Sequence, residues 1–213
     1  MINLISFLLI FVVTDTTENR KHVSEIDVNT DTSFCIYYNC NFYGYKGESF
    51  TGVVYDNWSN GNLKFQYEVY KGKRNGIYEE FHENGFLSVK TEYNNGKREG
   101  EYRIYYSNGQ LRTKRIHRDD KSEGEVIGYH RNGELRWRTF TKSGEYHGLW
   151  KTFYPSGQLW TKTYYEHGRI NGTKTSYHEN GIIKIKSFWK KGKRVGVYRE
   201  WDKEGNLIKE IDY

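Results

Sequence analysis

The chain has 213 residues, 36% of them hydrophobic and 28% charged, a size that ordinarily means one domain or two small ones. It holds 20 Tyr and 11 Phe against a single Met and a single Pro. That balance excludes disorder, which is poor in aromatics, and it leaves too little aliphatic side chain for a thick core. A thin sheet with aromatics spread over its faces satisfies both limits.

From the N-terminus, Ile2 to Val13 form an apolar run interrupted only by Asn3 and Ser6, and Thr14-Asp15-Thr16-Thr17 ends it. The run is too short to cross a hydrocarbon core of about 30 Å as a helix. It matches the apolar region of a secretory signal peptide, so residues 1–17 are read as a leader and the protein as exported, whether periplasmic, surface-bound or secreted. The alternative is a buried terminal strand or helix of a cytoplasmic protein. Residues 18–43 read as a linker or cap, and they contain the only cysteines, Cys35 and Cys40. In an exported protein these form a local disulfide; in a cytosolic one they are two plain thiols. A zinc site would need four ligands, and no Cys or His in the next forty residues completes one.

A repeat of 24 residues then fills the chain over 44–213. Gly61, Gly85, Gly109, Gly133, Gly157, Gly181 and Gly205 keep that period without exception. Gly76, Gly100, Gly124, Gly148, Gly172 and Gly196 follow fifteen residues later, and Gly72, Gly96, Gly144, Gly168 and Gly192 lie between, with Asp120 in the one vacant place. Leu63, Leu87, Leu111, Leu135, Leu159, Ile183 and Leu207 form a further column. Asn84-Gly85 and its equivalents predict type I′ hairpin turns, because both central residues of that turn need positive φ. About seven residues of alternating character follow each turn, as in Leu87 to Tyr93, and predict a strand. A Gly96 to Gly100 loop and a second strand, Glu101 to Tyr106, complete the unit. The predicted fold is all-β: an elongated antiparallel meander of tandem hairpins, roughly fourteen strands and about 65 Å long at ~4.8 Å per strand.

The unit Asn-Gly-x-Leu, then Tyr-x-x-Gly-x-x-x-Gly, then an aromatic pair such as Tyr105-Tyr106, resembles the MORN-repeat variant family, whose bacterial members often carry a YwqK-type antitoxin label. The resemblance spans about Tyr45 to Tyr213. It implies an elongated, twisted single-layer sheet used for protein or membrane contact, with no family catalytic residues to carry over. Lys174, where Tyr78, Tyr102 and Tyr198 stand, departs from the pattern, as does Asp120. A cytosolic antitoxin would not need the leader, whereas an immunity-type role outside the cytoplasm is compatible with it.

No residue set points to catalysis. His82, His130 and His178 recur every second repeat, roughly 19 Å apart, whereas zinc ligands must lie within about 2.1 Å of one point. They read as half-exposed substitutes for Tyr106 and Tyr154. Gly168-x-x-x-Gly172-Thr-Lys174 has neither the spacing nor the following helix of a phosphate loop. No enzyme activity, cofactor, metal or small-molecule substrate is therefore expected.

Charge is more informative. From Gly61 onward there are 30 Lys and Arg against 20 Asp and Glu, whereas the first sixty residues have 3 against 7. Arg112, Arg136 and Lys184 lie three residues after a turn glycine, and Lys114, Arg138 and Lys186 lie five after it. Equal strand parity projects both sets from one face. With two-residue turns, Tyr105 would oppose Arg112, Tyr129 would oppose Arg136 and Tyr177 would oppose Lys184. The expectation is a basic and aromatic binding face for a protein partner, a toxin among the possibilities, or for an anionic surface such as lipid or polysaccharide. Export speaks against nucleic acid. The plainer reading is that these charges keep an exposed sheet soluble.

Overall fold

The computed structural model describes residues 20–28, 43–45 and 48–213. The expected leader and the Cys35–Cys40 pair lie outside the described residues. One 15-stranded sheet dominates. Its strands are β1 (Arg20–His22), β5 (Gly52–Asn57), β6 (Leu63–Tyr70), β7 (Lys73–Phe81), β8 (Leu87–Asn94), β9 (Lys97–Tyr105), β10 (Leu111–Arg118), β11 (Lys121–Tyr129), β12 (Leu135–Lys142), β13 (Glu145–Phe153), β14 (Leu159–Glu166), β15 (Arg169–Tyr177), β16 (Ile183–Lys190), β17 (Lys193–Trp201) and β18 (Leu207–Asp212). From β5 to β18 each strand pairs antiparallel with the next, which is the expected meander. β2 (Asp27–Val28), β3 (Tyr43–Tyr45) and β4 (Glu48–Ser49) form a separate small sheet.

β1 runs parallel to β5, with Lys21 opposite Val54, and covers that edge of the sheet. A 3-10 turn at Val23–Glu25 follows it. Ile26, Phe50, Val54, Tyr67 and Val69 make a compact apolar cluster there, against which Val23, Phe65 and Tyr78 pack. β1 pairs with Val53 to Tyr55 of β5 and leaves only a three-residue strand as the outer edge at this end of the sheet, a short edge that offers little to another chain.

The two kinds of hairpin turn are interchanged relative to expectation. At each Asn-Gly site the loop has three residues: His82 N–H donates to Phe86 O, Gly85 N–H donates to His82 O, and the pattern recurs six more times from Trp58 to Asp202. Only the glycine takes positive φ, +84° at Gly85, so Asn84 is not the first residue of a type I′ turn. Its amide serves another purpose. Asn84 Oδ1 accepts from Phe86 N–H while Nδ2 donates to Ser107 O, one repeat further on. The two-residue turns with positive φ at both positions lie at the other end, at Lys71-Gly72, Asn95-Gly96, Asp119-Asp120, Ser143-Gly144, His167-Gly168 and Lys191-Gly192. The second strand of each hairpin accordingly starts at Lys97 and not at Glu101. Gly100, φ +81°, lies inside it at a bulge where the register steps from Thr91↔Tyr102 to Glu92↔Glu99. Asp120 holds its left-handed position, φ +66°, with its carboxylate accepting from Arg98 N–H and Nε.

A ladder ties successive repeats together at the Asn-Gly end. Trp58 Nε1 bonds Phe81 O, His82 Nε2 bonds Tyr105 O, Tyr106 OH bonds Tyr129 O, His130 Nε2 bonds Phe153 O, Tyr154 OH bonds Tyr177 O, and His178 Nε2 bonds Trp201 O. The alternation of His with Tyr is thus an exchange of one ring-borne polar group for another at a fixed place.

Strand alternation gives the sheet two unlike faces. On one, which we call the threonine face, Thr91 lies between Tyr78 and Tyr102 and is buried; Thr139, Thr163 and Ser187 are buried at the equivalent positions. Large rings from one strand cover small side chains on the next, so a single layer makes its own core. Burial raises the phenol pKa of Tyr78, Tyr102 and Tyr165 above the ordinary value.

Candidate anion-docking face

The opposite face carries a row of directly opposed residues that crosses the sheet. Beginning at Glu79, the register links Lys90, Arg103, Lys114, Ile127, Arg138, Lys151, Lys162, Thr175, Lys186, Arg199 and finally Glu210. Eight of the ten residues between the two glutamates are Lys or Arg. Like charges placed directly opposite one another cost a few tenths of a kcal/mol or more per pair, so folding alone does not favour this arrangement.

The ends of the row are compensated and the middle is not. Lys90 Nζ lies 2.8 Å from Glu79 Oε1, Arg103 pairs with Glu101, and Arg199 Nε lies 2.6 Å from Glu210 Oε2. Burial would raise the Glu79 pKa, but the hydrogen bonds from Lys90 and Gln66 outweigh it and hold the carboxyl below its ordinary range. Among the described residues, Lys114, Arg138, Lys151, Lys162 and Lys186 form no ion pair. From β10 to β16 these five span about 29 Å at ~4.8 Å per strand.

Aromatic residues flank the row on one side. Phe81, Tyr105, Tyr129, Phe153, Tyr177 and Trp201 share its parity, and Lys162 Nζ lies 5.8 Å from the Tyr177 ring centre. On its other side Glu92 and Glu101 give way towards the C-terminus to Ile116, Phe140, Leu149 and Tyr164, all exposed.

Of the residues expected from sequence, Lys114, Arg138, Lys186, Tyr105, Tyr129 and Tyr177 lie on this face. Arg112, Arg136 and Lys184 do not join them. Each sits in a bulge next to the three-residue loop, as where Tyr105 opposes Leu111 and Ile104 opposes Thr113, leaving Arg112 between. The inserted residue reverses the alternation. Arg112 consequently lies 5.8 Å from the Tyr106 ring, Lys64 lies 5.3 Å from Trp58, and Arg136 lines a cleft with Trp137 and Trp150. The expected oppositions of Tyr105 with Arg112, Tyr129 with Arg136 and Tyr177 with Lys184 are replaced by Leu111, Leu135 and Ile183.

Sequence reasoning missed Arg103, Lys151 and Arg199, which come from the returning strands. They recur at 48 residues, every second repeat, and that longer period was the signal.

The repeat geometry agrees with a family assignment. Five segments, 74–95, 98–119, 146–167, 170–191 and 194–213, match the model of the MORN repeat variant and together cover just over half of the chain. The chain belongs to the MORN repeat variant family. Within this MORN array the stretch 122–143 keeps the same strands and turns yet lies outside the matched segments. No curated protein matches the chain.

Proposed function

We propose that the protein is a non-enzymatic binding module that docks an extended anionic partner, an acidic protein surface foremost, on its basic face. The observation that supports this reading is the run of five cations without ion pairs between Lys114 and Lys186. Neighbours in the row lie within about 10 Å of one another, near the ~8 Å Debye length at physiological salt, so a large anion meets one continuous field. Such surfaces steer association and set partner choice. The antitoxin or immunity role implied by the family resemblance is the case in which the partner is a single toxin, and export of the chain would place that encounter outside the cytoplasm.

A membrane reading has its own support in the exposed row Ile116, Phe140, Leu149 and Tyr164 beside the cations, since anionic headgroups and interfacial apolar contacts act together. Binding of the full chain to immobilised polyglutamate and to phosphatidylserine vesicles, each across a salt series, tests both. Binding to polyglutamate that weakens steeply with salt is expected. Binding to vesicles alone, abolished by Phe140→Ser, would transfer the function to a lipid surface, and binding to neither would overturn the proposal.

A further inference from the structure

The repeat makes exceptions visible, because a side chain that serves the fold recurs every 24 residues. Four columns break at one place on the threonine face. Trp137 stands in a column that otherwise reads Phe65, Val89, Thr113, Thr161 and Ile185; Trp150 stands in one that reads Tyr78, Tyr102, Val126, Lys174 and Tyr198; Trp160 occupies the column of Arg112 and Lys184; and Pro155, in the adjoining loop, is the only proline of the chain. All four line a single cleft of about 510 Å³, together with Tyr154 and Arg136. This is within the range of small-ligand sites.

A fifth exception lies beneath it. Gly128 is the one glycine of its column, which otherwise reads Glu80, Ile104, Thr152, Ser176 and Glu200. It opposes Trp137 across the sheet, and a Cβ added to it would stand 2.3 Å from Trp137 Cε2 and Nε1. Its φ is not positive, so backbone conformation does not require glycine there. The missing side chain lets the indole approach the strand, as glycine does where a group must come close.

The rings are ordered as a platform. Trp137 and Trp150 stack with centroids 5.3 Å apart and planes at 26°, and Tyr154 and Trp160 lie 5.7 Å apart at 37°. Trp160 is half-exposed. Among the described residues no hydrogen bond engages the indole N–H of Trp137, Trp150 or Trp160. An adjoining recess of about 470 Å³ shares Arg136 and Pro155 with the cleft and adds Arg131 and Asn132. Arg136 makes no ion pair among the described residues, so a guanidinium stands open beside the rings.

We propose that this cleft binds an acidic sugar, a pyranose bearing a carboxylate. The apolar C–H face of a pyranose fits flat against an indole, the free indole N–H groups donate to ring hydroxyls, and Arg136 pairs with the carboxylate through two parallel N–H donors. The site lies on the face opposite the basic row and is independent of it.

The probe is trigalacturonate, titrated into the full chain by calorimetry and by tryptophan fluorescence, with galactotriose as the neutral counterpart. Binding with a change in fluorescence is expected for the acidic sugar, with at least about tenfold weaker affinity after Trp160→Ala. Arg136→Gln should remove the preference for the acidic over the neutral sugar, and because Arg136 is exposed this variant reads the site even where the Trp160 change disturbs folding. The double variant Lys114→Gln/Arg138→Gln should bind within about twofold of the parent, as those residues face the other way. Absence of trigalacturonate binding, equal affinity for galactotriose, or unchanged affinity in both site variants overturns the proposal. Loss of binding in the Lys114/Arg138 variant with retention in the site variants would also overturn it, by assigning the sugar to the basic face. A proline-rich peptide that binds where the sugar does not would make the cleft a peptide groove.

Discussion

The threonine face and the basic face are made by the same strands through the same alternation, and they are built on opposite rules. On the threonine face each small side chain is covered by rings from the neighbouring strand, Thr91 by Tyr78 and Tyr102, and cations are absorbed into the stack: the Arg115 guanidinium lies 4.8 Å from the Tyr102 ring and that of Arg74 4.7 Å from Tyr67. On the basic face Lys and Arg confront one another without intervening acids through the middle of the sheet. One face makes the packed core of the layer, and the other sets like charges opposite one another, which costs the fold a little at each pair. Stability should therefore respond to changes on the first face and binding to changes on the second.

The largest expected effect is from Tyr102→Ala. The ring contacts Arg98, Arg115 and His117 and covers Thr91, so its loss should destabilise by about 3 kcal/mol, read from chemical denaturation. Tyr105→Ala, three positions along this strand and on the other face, should cost clearly less.

Acid should act through the threonine face next. His117 is buried, its Nδ1 has no partner, and burial, then the Arg98 and Arg115 charges, lower its pKa from 6.5 to about 4 despite the opposing Asp120. The unfolded chain then binds more protons than the native one between these values. Stability is full above about pH 6.5, falls as pH drops through about 4, and loses on the order of 2–3 kcal/mol from this group. Melting temperature measured from pH 7 to pH 4 should show the decline, and His117→Tyr, matching Tyr93 and Tyr165 in its column, should flatten it.

A smaller effect of opposite sign is expected from Thr139→Val. The Thr139 hydroxyl is buried without a hydrogen-bond partner, so an isosteric methyl should stabilise by about 1 kcal/mol. A decrease in stability would mean that the hydroxyl finds a partner and that the packing of this face is misread.

The sequence made the meander legible because its glycine columns are backbone requirements, and backbone requirements do not depend on neighbours. It misled at Asn84-Gly85, since Asn-Gly signals a type I′ turn and equally suits a three-residue loop in which only the glycine is left-handed and the Asn amide bridges to the next repeat. The true two-residue turns carry varied first residues, Lys71, Asn95, Asp119, Ser143, His167 and Lys191, and gave no uniform signal. That misreading propagated: the loop brings a bulge, the bulge inserts Arg112 or Arg136, and parity counted from the turn then assigns them to the wrong face. Lys114 and Arg138, beyond the bulge, were placed correctly. Their partners Arg103 and Lys151 depend on cross-strand register, which no single strand reveals. The Trp137 cleft escaped notice because its residues are unremarkable singly and become a group only when Gly128 and Trp137 are seen to oppose each other.

Two charge-matched variants test the central assignment most directly. One changes Lys114, Arg138, Lys162 and Lys186 to Gln on the basic face, and the other changes Lys64, Arg112, Arg136 and Lys184 to Gln in the bulges of the threonine face. Both remove four positive charges, so any effect of net charge alone is equal. Retention of immobilised polyglutamate at fixed salt should be lost in the first and kept in the second, with melting temperatures close to the parent in the first, whose cations make no ion pair among the described residues, and somewhat lower in the second, which gives up the Lys64–Asp56 pair. Equal loss in both variants, or retention in the first, would contradict the assignment of docking to the basic row.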